Sequence, residues 1–208
     1  MKRAQLFHPR VFSDQEWAEG YYKRNAKSIE RVGTRFARIL KDTGFESGKV
    51  LDSGCGFAAV PIQLAKSFPN VEIIGIDLGE PLLKMGQSLA QQAGVADRVT
   101  LLKGDVEKLE FPTDEFDVVV NTFMLHIVDD PVAMLNEMER VAKPGGKILI
   151  TDLRRIWLGF IVKKLRTAFT LEEAAAVIKK SDLRPGKGSK GPFWWDYFVG
   201  VESQTRAK

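Results

Sequence analysis

The sequence predicts an α/β protein built on a doubly wound, mostly parallel sheet. From residue 48 onward, short and almost wholly apolar strands alternate with amphipathic helices, and each strand is followed by a glycine or a polar side chain. Parallel neighbours need a crossover connection, which a helix supplies. Strands that are apolar on both faces indicate that helices cover both sides of the sheet.

Turn residues bound each predicted element. Five strands cover residues 49–52, 71–77, 99–102, 116–120 and 147–151, and three helices connect them over residues 58–66, 80–93 and 130–143. An amphipathic helix over residues 23–41 precedes them. After the fifth strand, Thr170-Leu-Glu-Glu173 has the pattern of a capping box that opens a helix to about Lys180, and the aromatic-rich residues 193–199 form a closing strand.

The composition is that of one ordinary globular domain. The 208 residues include 44% hydrophobic and 28% charged side chains, and at ~150 residues per domain they predict a single unit over residues 1–208. The lone Cys55 excludes an internal disulfide and a cysteine-based zinc site, and no metal site is predicted. Because Met1-Lys-Arg3 is not followed by an apolar run and no stretch approaches ~20 apolar residues, we expect a cytoplasmic protein without a transmembrane segment.

Charge is distributed unevenly along the chain. Net charge is +6 over residues 1–41, −9 over residues 42–152 and +7 over residues 153–208, for a total of +4. Basic ends around an acidic middle indicate either an anionic substrate or surface facing the ends, or a solvated basic face without a ligand. The pattern therefore leaves both interpretations open.

Glycines and polar residues follow the predicted strands at the sheet edge where doubly wound proteins bind ligands. The turn Asp52–Gly56 leads into a helix, where the missing side chains and free N–H groups favour close approach of a carboxylate or phosphate. Asp77, 21 residues after the second glycine, is placed to accept hydrogen bonds from two ribose hydroxyls. Asp105 can accept from an exocyclic amine while the Val106 backbone reads a ring nitrogen, and Asn121 can bind the polar head of a ligand.

The glycines alone do not identify that ligand. Gly54-x-Gly56-x-x-Ala59 with Asp77 also satisfies the dinucleotide fingerprint of NAD. Three further features distinguish between the possible ligands. They are Asp52 before the first glycine, Gly104-Asp105 after the third strand, and Pro144-Gly-Gly146 before the fifth strand. Together they resemble the class I (Rossmann-like) S-adenosyl-L-methionine-dependent methyltransferases, in the small-molecule branch similar to the methyltransferases of ubiquinone and menaquinone biosynthesis.

The resemblance covers residues 45–152 densely and the flanks loosely. It implies a seven-stranded sheet whose last strand is antiparallel, with S-adenosyl-L-methionine across its carboxyl edge. It also implies a division into an N-terminal helical lid (residues 1–44), a cofactor-binding core (45–152) and a C-terminal substrate-side portion (153–208).

The same resemblance implies a role for individual residues. It assigns the methionine portion of the cofactor to Asp52, Ser53, Gly54 and Gly56, the ribose to Asp77, the adenine to Leu78, Asp105 and Val106, and the amino-acid end to Asn121. The segment Thr122–His126 would border the transferred methyl group. Residues 17–24 match the family's lid, from which Tyr21, Tyr22 or Arg24 would contact the cofactor carboxylate or the acceptor.

Two stretches depart from the family's pattern. Residues 183–192, where a sixth strand is expected, have the composition of a loop, which puts that strand in doubt. Phe57-Ala58-Ala59 stands where family members usually carry further glycine or threonine, a change that either tightens the cofactor pocket or has no effect.

Methyl transfer needs alignment and, for some acceptors, a base. His126 is the first candidate for deprotonating a hydroxyl or orienting the acceptor, because histidine exchanges protons near neutral pH; the alternative is a histidine packed under its loop. Asp152 and Arg154, after the fifth strand, are close enough to reach an acceptor, but an ordinary turn and surface pair is the favoured interpretation. Trp194 and Trp195 alternate across a strand, so at most one faces a pocket.

The nature of the acceptor is less well defined by the sequence. Asn121-Thr-Phe-Met124 lacks the Pro-Pro that enzymes methylating nucleic-acid amino groups carry after this asparagine, so a nucleic-acid partner is not expected. The apolar run Ile156–Val162 between basic residues is either the next helix of the fold or a cover for a lipophilic substrate or membrane surface. We therefore predict a methyltransferase acting on a small anionic or lipophilic acceptor. The alternatives are an NAD-dependent oxidoreductase and a cofactor-binding protein without transfer activity.

Overall fold

The computed structural model describes residues 13–156 and 166–201, which form a seven-stranded sheet with helices on both faces. The strands are β1 (Ser47–Ser53), β2 (Asn70–Asp77), β3 (Val99–Lys103), β4 (Phe116–Thr122), β5 (Ala142–Leu153), β6 (Lys187–Lys190) and β7 (Trp194–Val199). The helices are α1 (Gln15–Asp42), α2 (Ala59–Ser67), α3 (Glu80–Gln92), α4 (Pro131–Val141) and α5 (Leu171–Lys180). Across the sheet the strands lie in the order β3-β2-β1-β4-β5-β7-β6.

The direction of the strands confirms the predicted topology. Strands β1 to β5 are parallel, β7 runs antiparallel to β5, and β6 runs antiparallel to β7. The five predicted central strands and the helices between them are all present. Strand β5 begins earlier than predicted, at Ala142, because the chain becomes extended directly after α4. The predicted capping box at Thr170 is present at the start of α5.

The doubt about the sixth strand was wrong, since residues Lys187–Lys190 form β6. All four residues are exposed, and the strand pairs with β7 at the edge of the sheet. A strand that buries no apolar side chain has no hydrophobic alternation, so its Lys-Gly-Ser-Lys sequence gives no strand signal. Its lysines are typical of edge strands, where charge discourages pairing with other chains.

Two apolar clusters, one on each face of the sheet, form the core. Val118 and Val120 of β4 face the cluster that packs under α1, α2 and α3, whereas Val119 faces the cluster under α4 and α5. All three valines are fully buried. This confirms that helices cover both faces, as strands that are apolar on both sides require.

Helix α1 begins eight residues before the predicted start at residue 23, at Gln15, where the Asp14 side chain caps it by accepting from the backbone N–H of Trp17 at 2.7 Å. Gly33 allows close packing on α2, because a Cβ at this position would lie 2.8 Å from the Cβ of Gln63. No helix within the described ranges is both long and apolar enough to cross a membrane. Apart from Ile156, the apolar run Ile156–Val162 lies outside the described residues.

An ion pair joins α1 to strands β5 and β7. The Arg35 guanidinium donates to both carboxylate oxygens of Asp196 in β7, at 2.9 and 2.7 Å, and to the hydroxyl of Thr151 in β5 at 2.9 Å. Asp196 is buried, so its charge depends on this partner. Arg35 therefore holds the helix on the sheet through a bidentate contact.

We expect Arg35→Ala to lower the free energy of unfolding by about 3 kcal/mol, because it leaves the buried Asp196 carboxylate without its cation. Chemical denaturation monitored by circular dichroism would measure this change. Arg38→Ala, at an exposed position of the same helix, is the matched control and should change stability by less than about 0.5 kcal/mol. Equal losses in the two variants would show that the ion pair does not stabilise the fold.

Candidate active site

The candidate site lies at the carboxyl edge of the sheet, where the strand order reverses. From β1 the chain proceeds to β2 and β3 on one side, and then returns to place β4 on the other side of β1. The crevice between β1 and β4 is the position at which open α/β sheets bind ligands. Asp52 and Ser53 of β1 and Asn121 and Thr122 of β4 end at this crevice.

Four polar side-chain atoms are buried in this crevice without a protein partner. They are Asp52 Oδ1, Ser53 Oγ, Asn121 Oδ1 and Thr122 Oγ1, and none has a hydrogen-bond partner within residues 13–156 and 166–201. The Asn121 amide is oriented by its Nδ2, which donates to the Ser53 carbonyl at 2.7 Å. Buried polar groups are normally satisfied, so this set of one carboxylate oxygen, one amide oxygen and two hydroxyls fits a polar ligand, and the carboxylate favours a positive charge on it.

Asp52 has the electrostatics of a cation-binding group. Its side chain is 1% exposed. Burial raises the pKa of this carboxyl well above its usual range, and the negative charge of Asp77 raises it further. A ligand ammonium beside Asp52 would relieve both effects, because a nearby positive charge favours the ionised carboxylate.

The glycine turn after β1 is braced by Asp77 at the end of β2. One carboxylate oxygen of Asp77 accepts from the backbone N–H of Gly56 at 2.8 Å, and the other accepts from the N–H of Gly79 at 2.7 Å. Burial raises the pKa of Asp77, while these backbone hydrogen bonds oppose the shift. A carboxylate accepts about four hydrogen bonds, so Asp77 retains capacity for ligand hydroxyls while it holds the turn.

Gly54 must be glycine for two reasons. Its φ of 91° lies in the left-handed region, and a Cβ would lie 2.2 Å from Cγ of Met124. Met124, and with it the Thr122–His126 segment, therefore lies beside the glycine turn. The predicted position of this segment next to the transferred methyl group stays a prediction. Ala58, by contrast, adopts φ 61° at the start of α2 without being glycine.

The predicted adenine-binding residues lie beside Asp77. Leu78 is 48% exposed, an unusual degree for a leucine at the end of a buried strand. The Gly104 N–H donates to the Asp77 carbonyl at 3.2 Å, which fixes the turn that carries Asp105 and Val106 next to β2. Asp105 is exposed and Val106 is buried. The structure thus brings all three predicted residues to one end of the crevice.

The N-terminal part of α1 covers the crevice through aromatic contacts. The Tyr22 ring meets Phe57 edge-on with ring centroids 5.1 Å apart, and Tyr21 contacts the same ring at 5.8 Å and stacks on Trp17 at 5.1 Å. Phe57, one of the departures from the family's pattern, is therefore the residue against which the N-terminal part of α1 packs.

Tyr21, rather than Tyr22, faces the acidic groups of the site. Burial raises the pKa of Tyr21 to about 12, and the negative charges of Asp77 and Asp152 contribute to the increase. Its phenol thus stays neutral at physiological pH. Tyr22 lines a small cavity of about 230 Å³ together with Ala59 and Ile62 of α2 and Leu89 of α3. Its predicted contact with a cofactor stays a prediction.

His126 and Asp152 form a buried pair beside the crevice. His126 Nδ1 lies 2.5 Å from Asp152 Oδ1, and the backbone N–H of His126 donates to Asp152 Oδ2 at 2.9 Å. The two residues are 3% and 0% exposed. When Nδ1–H donates a hydrogen bond to the Asp152 carboxylate, Nε2 is the basic nitrogen of the imidazole.

The interpretation of Asp152 as a surface residue was wrong, because its carboxylate is buried between His126 and its own strand. The pairing of β4 with β5, which aligns Thr122 with Thr151, brings the two residues together across 26 positions of sequence, and no local motif signals this contact. Arg154 lies at the surface end of β5, where its Nη2 donates to the Pro192 carbonyl at 3.1 Å. Trp195 is buried in the core and Trp194 is exposed, which confirms that the pair divides between the two sides of β7.

Comparison with known proteins identifies the family of the chain. The family model of the methyltransferase domain matches residues 45–190, more than half of the chain. Demethylmenaquinone methyltransferase from Staphylococcus saprophyticus is 37% identical over 137 residues, which span 64% of this chain and 58% of that protein. The enzyme of the same name from Anoxybacillus flavithermus is 41% identical over 105 residues, which span 50% of this chain and 44% of that protein. The chain thus matches about half the length of these relatives.

Solved structures show the same fold. A candidate S-adenosyl-L-methionine-dependent methyltransferase from Methanococcus maripaludis superposes with a TM-score of 0.74, at 19% identity, over 95% of this chain and 96% of that protein. The comparisons favour a methyltransferase over the NAD-dependent oxidoreductase that the glycine motif alone would allow. Because the family model matches residues 45–190, the chain belongs to the methyltransferase domain family.

Proposed function

We propose that this protein transfers a methyl group from S-adenosyl-L-methionine to a small lipophilic acceptor, in the cytoplasm. The observation that supports this most directly is the cluster of buried acceptors on Asp52, Ser53 and Asn121 beside a glycine turn held by Asp77. An ammonium group, a carboxylate and two ribose hydroxyls together would satisfy such a site. The division into lid, cofactor core and substrate-side portion is part of the same proposal.

The residues present fit this cofactor, part by part. Asp52 would bind its ammonium, the backbone of the Gly54–Gly56 turn its carboxylate, and Asp77 its ribose. Leu78 offers an exposed apolar face to the adenine, and Asp105 with Val106 offers an acceptor and a backbone N–H at its edge. When bound, the cofactor supplies a methyl group activated by the positive charge on sulfur, so the protein supplies alignment and proton transfer.

The pair of His126 and Asp152 supplies the proton transfer. On transfer, a bond from the acceptor to the methyl carbon would replace the bond from that carbon to sulfur, and the electron pair would stay on sulfur. Nε2 of His126 would take the proton that the acceptor gives up. Asp152 holds the opposite ring nitrogen at 2.5 Å and stabilises the imidazolium that results. Asp152 is therefore a positioning residue, whose effect on the reaction passes through His126.

The class of acceptor follows from the relatives and from the lid. Both relatives described above are named for demethylmenaquinone, a lipophilic quinone, and the lid of this chain presents Trp17 and Tyr21 as stacked aromatic rings. Aromatic rings favour stacking with a planar acceptor. Reduced demethylmenaquinone is accordingly the first acceptor to test.

The decisive experiment is calorimetric titration with S-adenosyl-L-methionine, S-adenosylhomocysteine and NAD. We expect saturable binding of the first two, without binding of NAD. A second measurement supplies methyl-labelled S-adenosyl-L-methionine and reduced demethylmenaquinone in detergent, with formation of labelled product as the readout. Binding without product across a panel of hydroxylated aromatic acceptors would support a cofactor-binding protein without transfer activity, and binding of NAD alone would overturn the proposal.

A further inference from the structure

A groove of about 680 Å³ lies between α5 and the hairpin of β6 and β7. Helix α5 forms one wall, Trp195 and Tyr197 of β7 lie on the floor, and Leu183 and Pro185 close one end. Its volume falls within the range of small-molecule pockets, roughly 300–1,000 Å³. The groove is separate from the crevice between β1 and β4, because β5 lies between β4 and β7 in the sheet and none of the four crevice residues Asp52, Ser53, Asn121 and Thr122 lines it.

The lining of this groove is apolar along its length and basic at its rim. The apolar side chains come from α5, the following loop and β7, namely Leu171, Ala174, Ala175, Ile178, Leu183 and Trp195. Two lysines also line it from opposite sides, Lys179 from α5 and Lys190 from β6, and both side chains are exposed. The groove therefore combines hydrocarbon surface with two cations held on different elements.

Two acidic residues lie at or near the groove, and one of them, Glu172, partly offsets the charge of Lys190. Asp196 lines the groove, but its carboxylate is bound on both oxygens by Arg35. The pKa of the exposed Glu172 is lowered first by a hydrogen bond from its own backbone and by Thr170, and to a smaller extent by Lys190. Lys179 thus has no acidic residue among the groove-lining residues other than the neutralised Asp196.

We propose that this groove binds a single-chain amphiphile with an anionic head, as one monomer. Its hydrocarbon chain would lie against Ala175, Ile178 and Trp195, and its head would lie between Lys179 and Lys190. A small polar anion would leave the apolar lining in water, and an uncharged chain would make no use of the lysines. The complementarity of an apolar body and a negative head selects this class of ligand, independently of the methyl-transfer proposal.

Calorimetric titration of the intact protein with decyl phosphate, kept below its critical micelle concentration, tests this site. We expect saturable binding with a stoichiometry of one, at least 10-fold tighter than decanol, and no saturation with inorganic phosphate. Ala175→Phe places a ring in the groove from an exposed helix position and should weaken binding at least 10-fold. Ala176→Phe, one residue further along the same helix and outside the groove, should leave binding unchanged.

The head-group contacts are tested by Lys179→Gln and Lys190→Gln, each of which should weaken decyl phosphate but not decanol. Lys180→Gln, exposed on the same helix but outside the lining, is the matched control. Equal effects of Ala175→Phe and Ala176→Phe, or equal affinity for decyl phosphate and decanol, would overturn the proposal. It would also be overturned if sedimentation showed a dimer that Ala175→Phe dissociates, or if anionic vesicles bound the protein while decyl phosphate did not. Titration of Ala175→Phe with S-adenosylhomocysteine separates this result from the methyl-transfer site, where affinity should be unchanged.

Discussion

Replacement of His126 by Gln lowers the turnover number for methyl transfer by about 100-fold or more, with little change in affinity for S-adenosyl-L-methionine. The expected size is that of a lost general base, roughly 10²- to 10⁴-fold. The physical reason lies in the pair with Asp152, because the 2.5 Å contact with Nδ1 leaves Nε2 as the basic nitrogen of the ring. Glutamine has no such nitrogen and cannot take up the acceptor's proton. Single-turnover transfer of a labelled methyl group to reduced demethylmenaquinone would measure the rate, and calorimetry the affinity.

Asp152→Asn provides the control that separates positioning from folding. An amide at this position can still accept from the His126 backbone N–H, which now lies 2.9 Å from Oδ2, so the fold should survive. The imidazolium formed during transfer loses its counter-charge, and turnover should fall by at least 10-fold while the affinity for S-adenosylhomocysteine is retained. Full activity in both variants would show that His126 only packs under its loop. A loss of cofactor affinity that parallels the loss of turnover would indicate general damage to the site.

Much of the site was predictable because its signals are local. The turn with Gly54 and Gly56 and the carboxylate of Asp77 at a strand end each follow from residues close together in sequence. The parallel topology then brings them to one edge, since the carboxyl ends of parallel strands meet there. The chain order of strands and helices was sufficient to infer that edge before any distance was known.

The unpredicted features all depend on contacts between distant residues. Asp152 has the sequence context of a turn, and the pairing of β4 with β5 alone makes it a buried partner of His126. The ion pair of Arg35 with Asp196 joins residues 161 positions apart, and β6 is defined by hydrogen bonds to β7 instead of by apolar alternation. Local periodicity reports which face of an element is buried, but not which charged group lies across from it.

Asp52→Asn should separate the requirements of binding from those of folding. We expect its affinity for S-adenosylhomocysteine to fall by about 100-fold, because the ligand ammonium loses a buried counter-charge, a loss of a few kcal/mol. The affinity for 5′-methylthioadenosine, which has no ammonium group, should change by less than 3-fold. Asp77→Ala should instead weaken both ligands, since both carry the ribose. Calorimetric titration of the two ligands against the two variants measures all four effects.

Asp52→Asn, which should weaken ligand binding, should increase the stability of the ligand-free protein. Because burial raises the pKa of Asp52, and the charge of Asp77 adds to this, the folded protein binds a proton at this site more tightly than the unfolded chain does. The contribution of Asp52 to stability is thus fully present below the unfolded pKa, near pH 4, and is lost as the pH rises through the folded value. Asparagine cannot ionise, so Asp52→Asn should unfold at a higher temperature than the wild type at pH 8, with the difference shrinking toward pH 4.

Asp77→Asn supplies the contrast, because Asp77 accepts two backbone hydrogen bonds that hold the glycine turn. Burial also raises the pKa of Asp77, so removal of its charge favours the variant at high pH. An amide, however, keeps one acceptor oxygen and turns a donor toward the other N–H, and we expect this unsatisfied pair to outweigh the gain, so that the variant loses stability at pH 8. A gain in stability at Asp52 together with a loss at Asp77 would identify Asp52 as a group retained for its ligand and Asp77 as one that also builds the turn. If Asp52→Asn also destabilised the ligand-free protein at pH 8, its carboxylate would be satisfied within the fold, and the central support for the cofactor site would be removed.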